Sequence, residues 1–198
     1  PLRDLGATAV PVFTYTNSLT GSAALLTLVP TNTRYTAFTA DDTTPGVITI
    51  TAAGGGPNVL SWVGTNGTWD VGAHASFYNE TIASTDMFWQ ADTVRFGNVD
   101  YANDRTGTGT VTIVGTVAPE RIIVEGLSNI TFAGSGKISG WAELYKGGTN
   151  VLTINTANDF NGPVTVTGGM LRVGHASALG SIIGATWVTN GGTLDVNG

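Results

Sequence analysis

One six-residue phrase recurs along this chain. GGMLRV fills Gly168–Val173 and GGTLDV fills Gly191–Val196, a displacement of 23 positions; NGTWDV at Asn66–Val71 is a looser third copy. In that alignment Leu171 falls on Leu194 and Val173 on Val196. Gly174 falls on Asn197, and both residue types tolerate left-handed backbone. The Leu-x-Val spacing puts two aliphatic side chains on one face of a strand. A unit of about 20–25 residues is the scale of a solenoid repeat. Such a unit is too small to enclose a core, so it buries its apolar face on the next unit. The recurrence therefore predicts that like residues stack on like, with Leu171 over Leu194. Leu152, Ile154, Val166, Leu171, Val173, Leu194 and Val196 are the expected members of the internal ladder. A β-sandwich or barrel is the competing architecture.

Strand signals fill the rest of the chain. GVITITA (Gly46–Ala52), GTVTIVG (Gly109–Gly115), RIIVEG (Arg121–Gly126), NITFAG (Asn129–Gly134), NVLTIN (Asn150–Asn155) and PVTVTGG (Pro163–Gly169) are short β-forming runs punctuated by Gly, Asn or Pro. The best helical window is Ser84–Phe96, although Thr93–Phe96 also reads as strand. The expected fold is all-β: a β-solenoid over residues 56–198, preceded by a less regular β segment, cap or assembly arm over 1–55. TAAGGGPN (Thr51–Asn58) marks the joint between them.

Composition removes several classes of function. The chain has 198 residues and no cysteine, which excludes disulfides, thiolate metal sites and a cysteine nucleophile. Charged residues make up 11% of it, against about a quarter in an average domain. The net charge of −6 and eight scattered Lys and Arg leave no basic stripe for nucleic acid. No apolar run approaches the roughly 18 residues of a membrane helix, and membrane insertion is not expected. The start at Pro1, with no signal peptide in this chain, reads as a processed or excised piece of something longer.

Beyond the phrase itself, LYKGGTNVLTINTANDFNGPVTVTGGMLRVGHASALGS (Leu144–Ser181) resembles the autotransporter-associated β-strand repeat. Leu144, Lys146, Gly148 and Leu152 match its opening, Phe160-Asn161-Gly162 its turn, Gly168-Gly169 and Leu171 its signature, and Ala178-Leu179-Gly180 its tail. The upstream stretch Trp62–Asn98 is similar to the segment that often precedes such repeats, and Gly126–Gly140 to the link. The resemblance spans about two thirds of the chain, from Trp62 to Gly198. It implies a passenger-type right-handed parallel β-helix, secreted or at the cell surface by bacterial-type export. Two departures stand out: no translocator barrel follows, and only one full repeat and part of a second are present.

The search for chemistry finds little. There is no G-x-S-x-G, and the two histidines, His74 and His175, both follow a copy of the phrase, as surface-turn residues would. Asp100, Asn103 and Asp104 form a loose oxygen cluster without calcium-loop grammar. Asn66, Asn79 and Asn129 are N-x-T sequons. Trp62, Trp89, Asp86 and Asp92 are the candidates for glycan contact, since aromatic faces beside carboxylates suit sugar rings. Trp69, aligned with Leu194, is expected in the core. The reading is an exported structural or adhesive β-solenoid, not an enzyme, with no cofactor and no metal. Self-association through solenoid ends into head-to-tail filaments is the expected partnership, the first 55 residues supplying a covering strand. Surface glycans are further candidate partners, and a carbohydrate-active or glycan-binding β-helix is the alternative.

Overall fold

The structure is a computed structural model, and residues 9–97, 107–189 and 191–196 are described. The chain divides into two compact units, Pro1–Pro57 and Asn58–Gly198. The first is a three-stranded antiparallel sheet of β1 (Val10–Thr14), β2 (Tyr35–Asp41) and β3 (Val47–Gly54), with β3 in the centre. A short 3-10 turn, Ala23–Leu25, is capped by Ser22, whose side chain accepts from the Ala24 amide. Ala23, Tyr35 and Ala52 are its buried apolar residues.

The second unit is a parallel β-solenoid. Its strands are β4 (Val59–Trp62), β5 (Gly67–Trp69), β6 (Phe77–Asn79), β7 (Ser84–Asp86), β8 (Thr93–Phe96), β9 (Gly109–Ile113), β10 (Thr116–Val117) and β11 (Arg121–Val124). They continue as β12 (Ile130–Ala133), β13 (Lys137–Ile138), β14 (Glu143–Lys146), β15 (Val151–Ile154), β16 (Val164–Val166), β17 (Gly169–Val173), β18 (Thr186–Val188) and β19 (Gly192–Asp195). One sheet runs β18-β16-β14-β11-β8-β4-β6-β7 and the other β19-β17-β15-β12-β9-β5. The second sheet is parallel throughout. The first is parallel from β18 to β4 and then turns antiparallel through the hairpin β6–β7. Apart from the first coil, which adds the β6–β7 hairpin, each coil contributes one strand to each of these two sheets, which is why the chain returns to the same pattern.

Register confirms the stacking. Gly169 pairs with Gly192 and Leu171 with Leu194, and Leu152 pairs in turn with Ile130 and Leu171. The neighbouring column runs Val111, Phe132, Ile154, Val173. Leu152, Ile154, Val166 and Leu171 are fully buried, and Val173 and Leu194 pack against the same core. Val196 differs from the expectation: it is 67% exposed, because β19 ends at Asp195 and no strand carries Val196 onto the ladder. Nor is the coil length constant. Nineteen residues separate Leu152 from Leu171, and 23 separate Leu171 from Leu194. The corners absorb the difference while the strands keep register.

Backbone close approach explains the glycines of the phrase. A Cβ on Gly169 would lie 2.3 Å from the Asn150 carbonyl oxygen, and Gly169 has φ +60°. Coils can sit one strand spacing apart at that corner only if this position lacks a side chain.

The helix considered for Ser84–Phe96 does not form. Asp92 accepts from the amides of Trp89 (2.9 Å) and Asn58 (2.8 Å), Asp86 accepts from the amide of Met87, and Ala91 takes φ +72°. Side-chain acceptors capture donors that a helix would need, and a left-handed residue ends any helical run. The segment is instead β7, a turn and β8. Within the solenoid unit, the β6–β7 hairpin forms the edge of the first sheet beside β4.

Candidate functional site

Strand parity decides which side chains are available to a partner. On β4, Leu60 and Trp62 share the inward face, and Trp62 is 2% exposed. Its ring meets Phe77 edge-on at 5.3 Å and tilts against Phe96 at 5.8 Å. Trp69 is wholly buried, with Phe88, Phe96 and Phe132 at 5.4–5.8 Å. These rings fill the early coils, where later coils use Leu, Ile and Val with Phe160. Trp69 points inward as expected, but it pairs with Ile113 rather than joining the Leu171–Leu194 column. Similar phrases there share face and not register.

The four residues considered for glycan contact therefore serve the fold. Trp62 is interior. Trp89 is half-buried over Gly72, where a Cβ would come within 2.9 Å of its ring. Asp86 accepts from the Asn79 side-chain amide at 2.7 Å. Asp92 is fully buried, and its two oxygens hold the amides of Asn58 and Trp89. The structure brings these residues to the same coils but presents no open sugar platform from them.

The remaining candidates have local roles. Asp70 accepts from the His74 amide (3.0 Å) and faces His74 Nδ1 (2.5 Å), tying the turn after β5. His175 Nδ1 accepts from the Ser177 amide at 3.0 Å. The sequon asparagines are similarly engaged: Asn66 accepts from the Thr110 amide, Asn79 from Thr81 and Asn129 from Val151. The cluster of Asp100, Asn103 and Asp104 lies outside the described residues. Among the described residues no group of three His, Cys, Asp or Glu is placed to hold a metal ion, and no helix is long and apolar enough to cross a membrane.

Lys146 is the unexpected titratable group. It stands between Val124 and Val166 in an inward column and is fully buried. Its ammonium donates to the carbonyls of Gly147 and Gly168, joining two coils at a corner. Burial pushes its pKa down to about 8, with Glu125 opposing the shift. The folded amine thus loses its proton near pH 8, whereas the unfolded one loses it near 10.5. Between those values the unfolded chain binds more protons, so stability rises with pH across that window. The neutral amine still donates to both carbonyls, and only the cost of the buried charge disappears. We expect a gain on the order of 1–2 kcal/mol from pH 7.5 to 10, read as a shift in urea midpoint. Lys146→Met should abolish that gain.

Outward positions carry a different chemistry. On the second sheet Thr110, Thr131 and Thr153 stack in register, followed by Arg172 and Asp195, which pair at 2.8 Å. On the first sheet Ile123, Tyr145, Thr165 and Trp187 form one outward column. Sequence reasoning passed over it. The signal was present, since Tyr145 stands between inward Leu144 and Lys146.

The chain is 41% identical over 91 residues, 46% of its length, to the adhesin BmaC autotransporter of Brucella suis biovar 1 (strain 1330). A parallel β-solenoid is consistent with a passenger-type coil. The chain spans about 2% of that protein's length. No protein-family model matches the chain, and no solved structure gives a significant match. The parallel coil itself accounts for both the Gly-Gly corners and the aliphatic ladder described above.

Proposed function

We propose that this chain is an adhesive β-solenoid module displayed outside the cell, working by surface contact and without catalysis. The similarity to an autotransporter adhesin carries the reading. The solenoid supports it: apolar side chains fill the interior, and the outward columns are Thr, Tyr, Trp and paired charges. A packed interior gives a stiff scaffold without disulfides, and the outer faces remain free for recognition. Carboxylates that a glycan-cleaving enzyme would need, Asp86 and Asp92, instead accept backbone or amide hydrogen bonds.

The test is attachment. Beads coated with the folded chain should bind epithelial cells or extracellular matrix above beads coated with heat-unfolded chain. Equal attachment by the two rejects the adhesive reading, as does release of reducing sugar from a polysaccharide panel in proportion to added protein.

A further inference from the structure

The outward column of the first sheet is built differently from its neighbours. Ile123, Tyr145, Thr165 and Trp187 follow one another in strand register. Parallel strands lie about 4.8 Å apart, so Tyr145 and Trp187 stand roughly two strand spacings from each other along the solenoid axis. Trp187 is 56% exposed. Tyr145 is held in place: its hydroxyl lies 3.0 Å from Thr167 Oγ1, and the Arg121 guanidinium sits 5.7 Å from its ring centroid. Arg121 in turn approaches Glu143 at 3.9 Å. The face therefore offers an exposed Trp187, a part-buried Tyr145 with Arg121 over one side of its ring, the Thr165 hydroxyl between them, the Arg121–Glu143 pair, and Arg95 in the same register beyond Ile123.

We propose that this face binds a neutral, extended oligosaccharide lying along the solenoid axis, its rings stacking on Tyr145 and Trp187. This rests on the adhesive reading and gives its recognition surface a chemical class. The strand spacing is close to the advance per ring of an extended sugar chain, so alternate rings meet the two aromatics and the intervening ring meets Thr165. Charge selects among glycans. Arg121 is matched by Glu143 and the chain carries −6 overall, so a polyanionic glycan is repelled and a neutral one is not. Aromatic side chains present a large apolar face at little conformational cost, and their hydroxyl or indole N–H can meet a sugar hydroxyl.

Calorimetric titration of the whole chain tests this with a soluble β-1,4-linked neutral hexasaccharide, its disaccharide and a uronate hexamer. The hexasaccharide should bind, the disaccharide more weakly and the uronate least. Trp187→Ala and Tyr145→Ala should each weaken hexasaccharide binding about tenfold. Trp141→Ala, at another exposed tryptophan, should leave it unchanged. Circular dichroism melts of each variant separate lost binding from lost fold. The proposal fails if the folded chain does not bind the hexasaccharide, if neither variant weakens it, or if the uronate binds best. It also fails if Trp187→Ala changes the sedimentation of the protein alone, because the face is then a contact between copies. Cell attachment that persists in both variants overturns this glycan site while leaving the adhesive reading standing.

Discussion

Replacing Phe132 by alanine will lower the unfolding free energy by about 3–5 kcal/mol. Phe132 is fully buried and lies where the two packing regimes of the interior meet. On one side its ring contacts Phe96 at 5.0 Å and Trp69 at 5.8 Å, both edge-on. Along its column it sits between Val111 and Ile154. The cavity left by alanine cannot close easily, because β9 and β15 hold β12 at fixed spacing from both sides. A domain has only about 5–15 kcal/mol in total, so the variant should unfold at much lower urea. Phe132→Leu, which keeps most of the volume, should cost under about 1.5 kcal/mol. A loss below 1 kcal/mol for the alanine variant would show that the coils slide together and that the ladder is not rigidly spaced.

Asn158→Leu will be nearly as damaging, for the opposite chemical reason. Asn158 is 4% exposed and links three successive coils. Its carbonyl oxygen accepts from the Ile138 amide at 2.9 Å, and its amide nitrogen donates to the Ala178 carbonyl at 2.8 Å, each partner 20 residues away. Leucine has similar volume and neither function. Two buried backbone groups lose their partner at once, at about 1–3 kcal/mol each. The expected loss is therefore roughly 2–5 kcal/mol. Asn158→Asp separates the two halves of the bridge. It keeps the acceptor toward Ile138 but sets a carboxylate against the Ala178 carbonyl, so its destabilisation should ease as pH falls. Amide exchange at Ile138 offers a direct check: it should speed up in Asn158→Leu and stay slow in Asn158→Asp at low pH.

These two residues show what could and could not be read from sequence. The fold was legible where a coil repeats strictly: Gly169 on Gly192 and Leu171 on Leu194 follow from one aligned phrase. The register of Trp69 was not. A two-residue period preserves which face a side chain takes, but it says nothing about which coil position the side chain reaches. The β6–β7 hairpin and the residues beyond it lengthen the early coil and break the count. Asn158 was hidden for another reason. In TANDFNGP it looks like turn polarity, and only the coil above and the coil below make it a bridge.

Strand parity, more than composition, decides which of these side chains face outward. Trp62 stood beside carboxylates and attracted attention, yet Leu60-Ser61-Trp62 already put its ring on the inward face. Tyr145 and Trp187 lie 42 positions apart in sequence and share a column only after two coils have been wound. Lys146 belongs to the same lesson. Its place in an alternating Leu-Tyr-Lys run points inward, and its long stem reaches corner carbonyls that no local pattern reveals.

The reversed hairpin β6–β7 sets a direction for the whole stack. A purely parallel ladder can be lengthened from either rim by adding another identical layer. Once the β6–β7 ribbon has taken the rim beside β4, the parallel partner that a repeated coil needs is no longer open on β4, and a new layer would meet the hairpin strand β7 instead. An engineered extra layer should therefore be tolerated between β14 and β16 far better than beside β7.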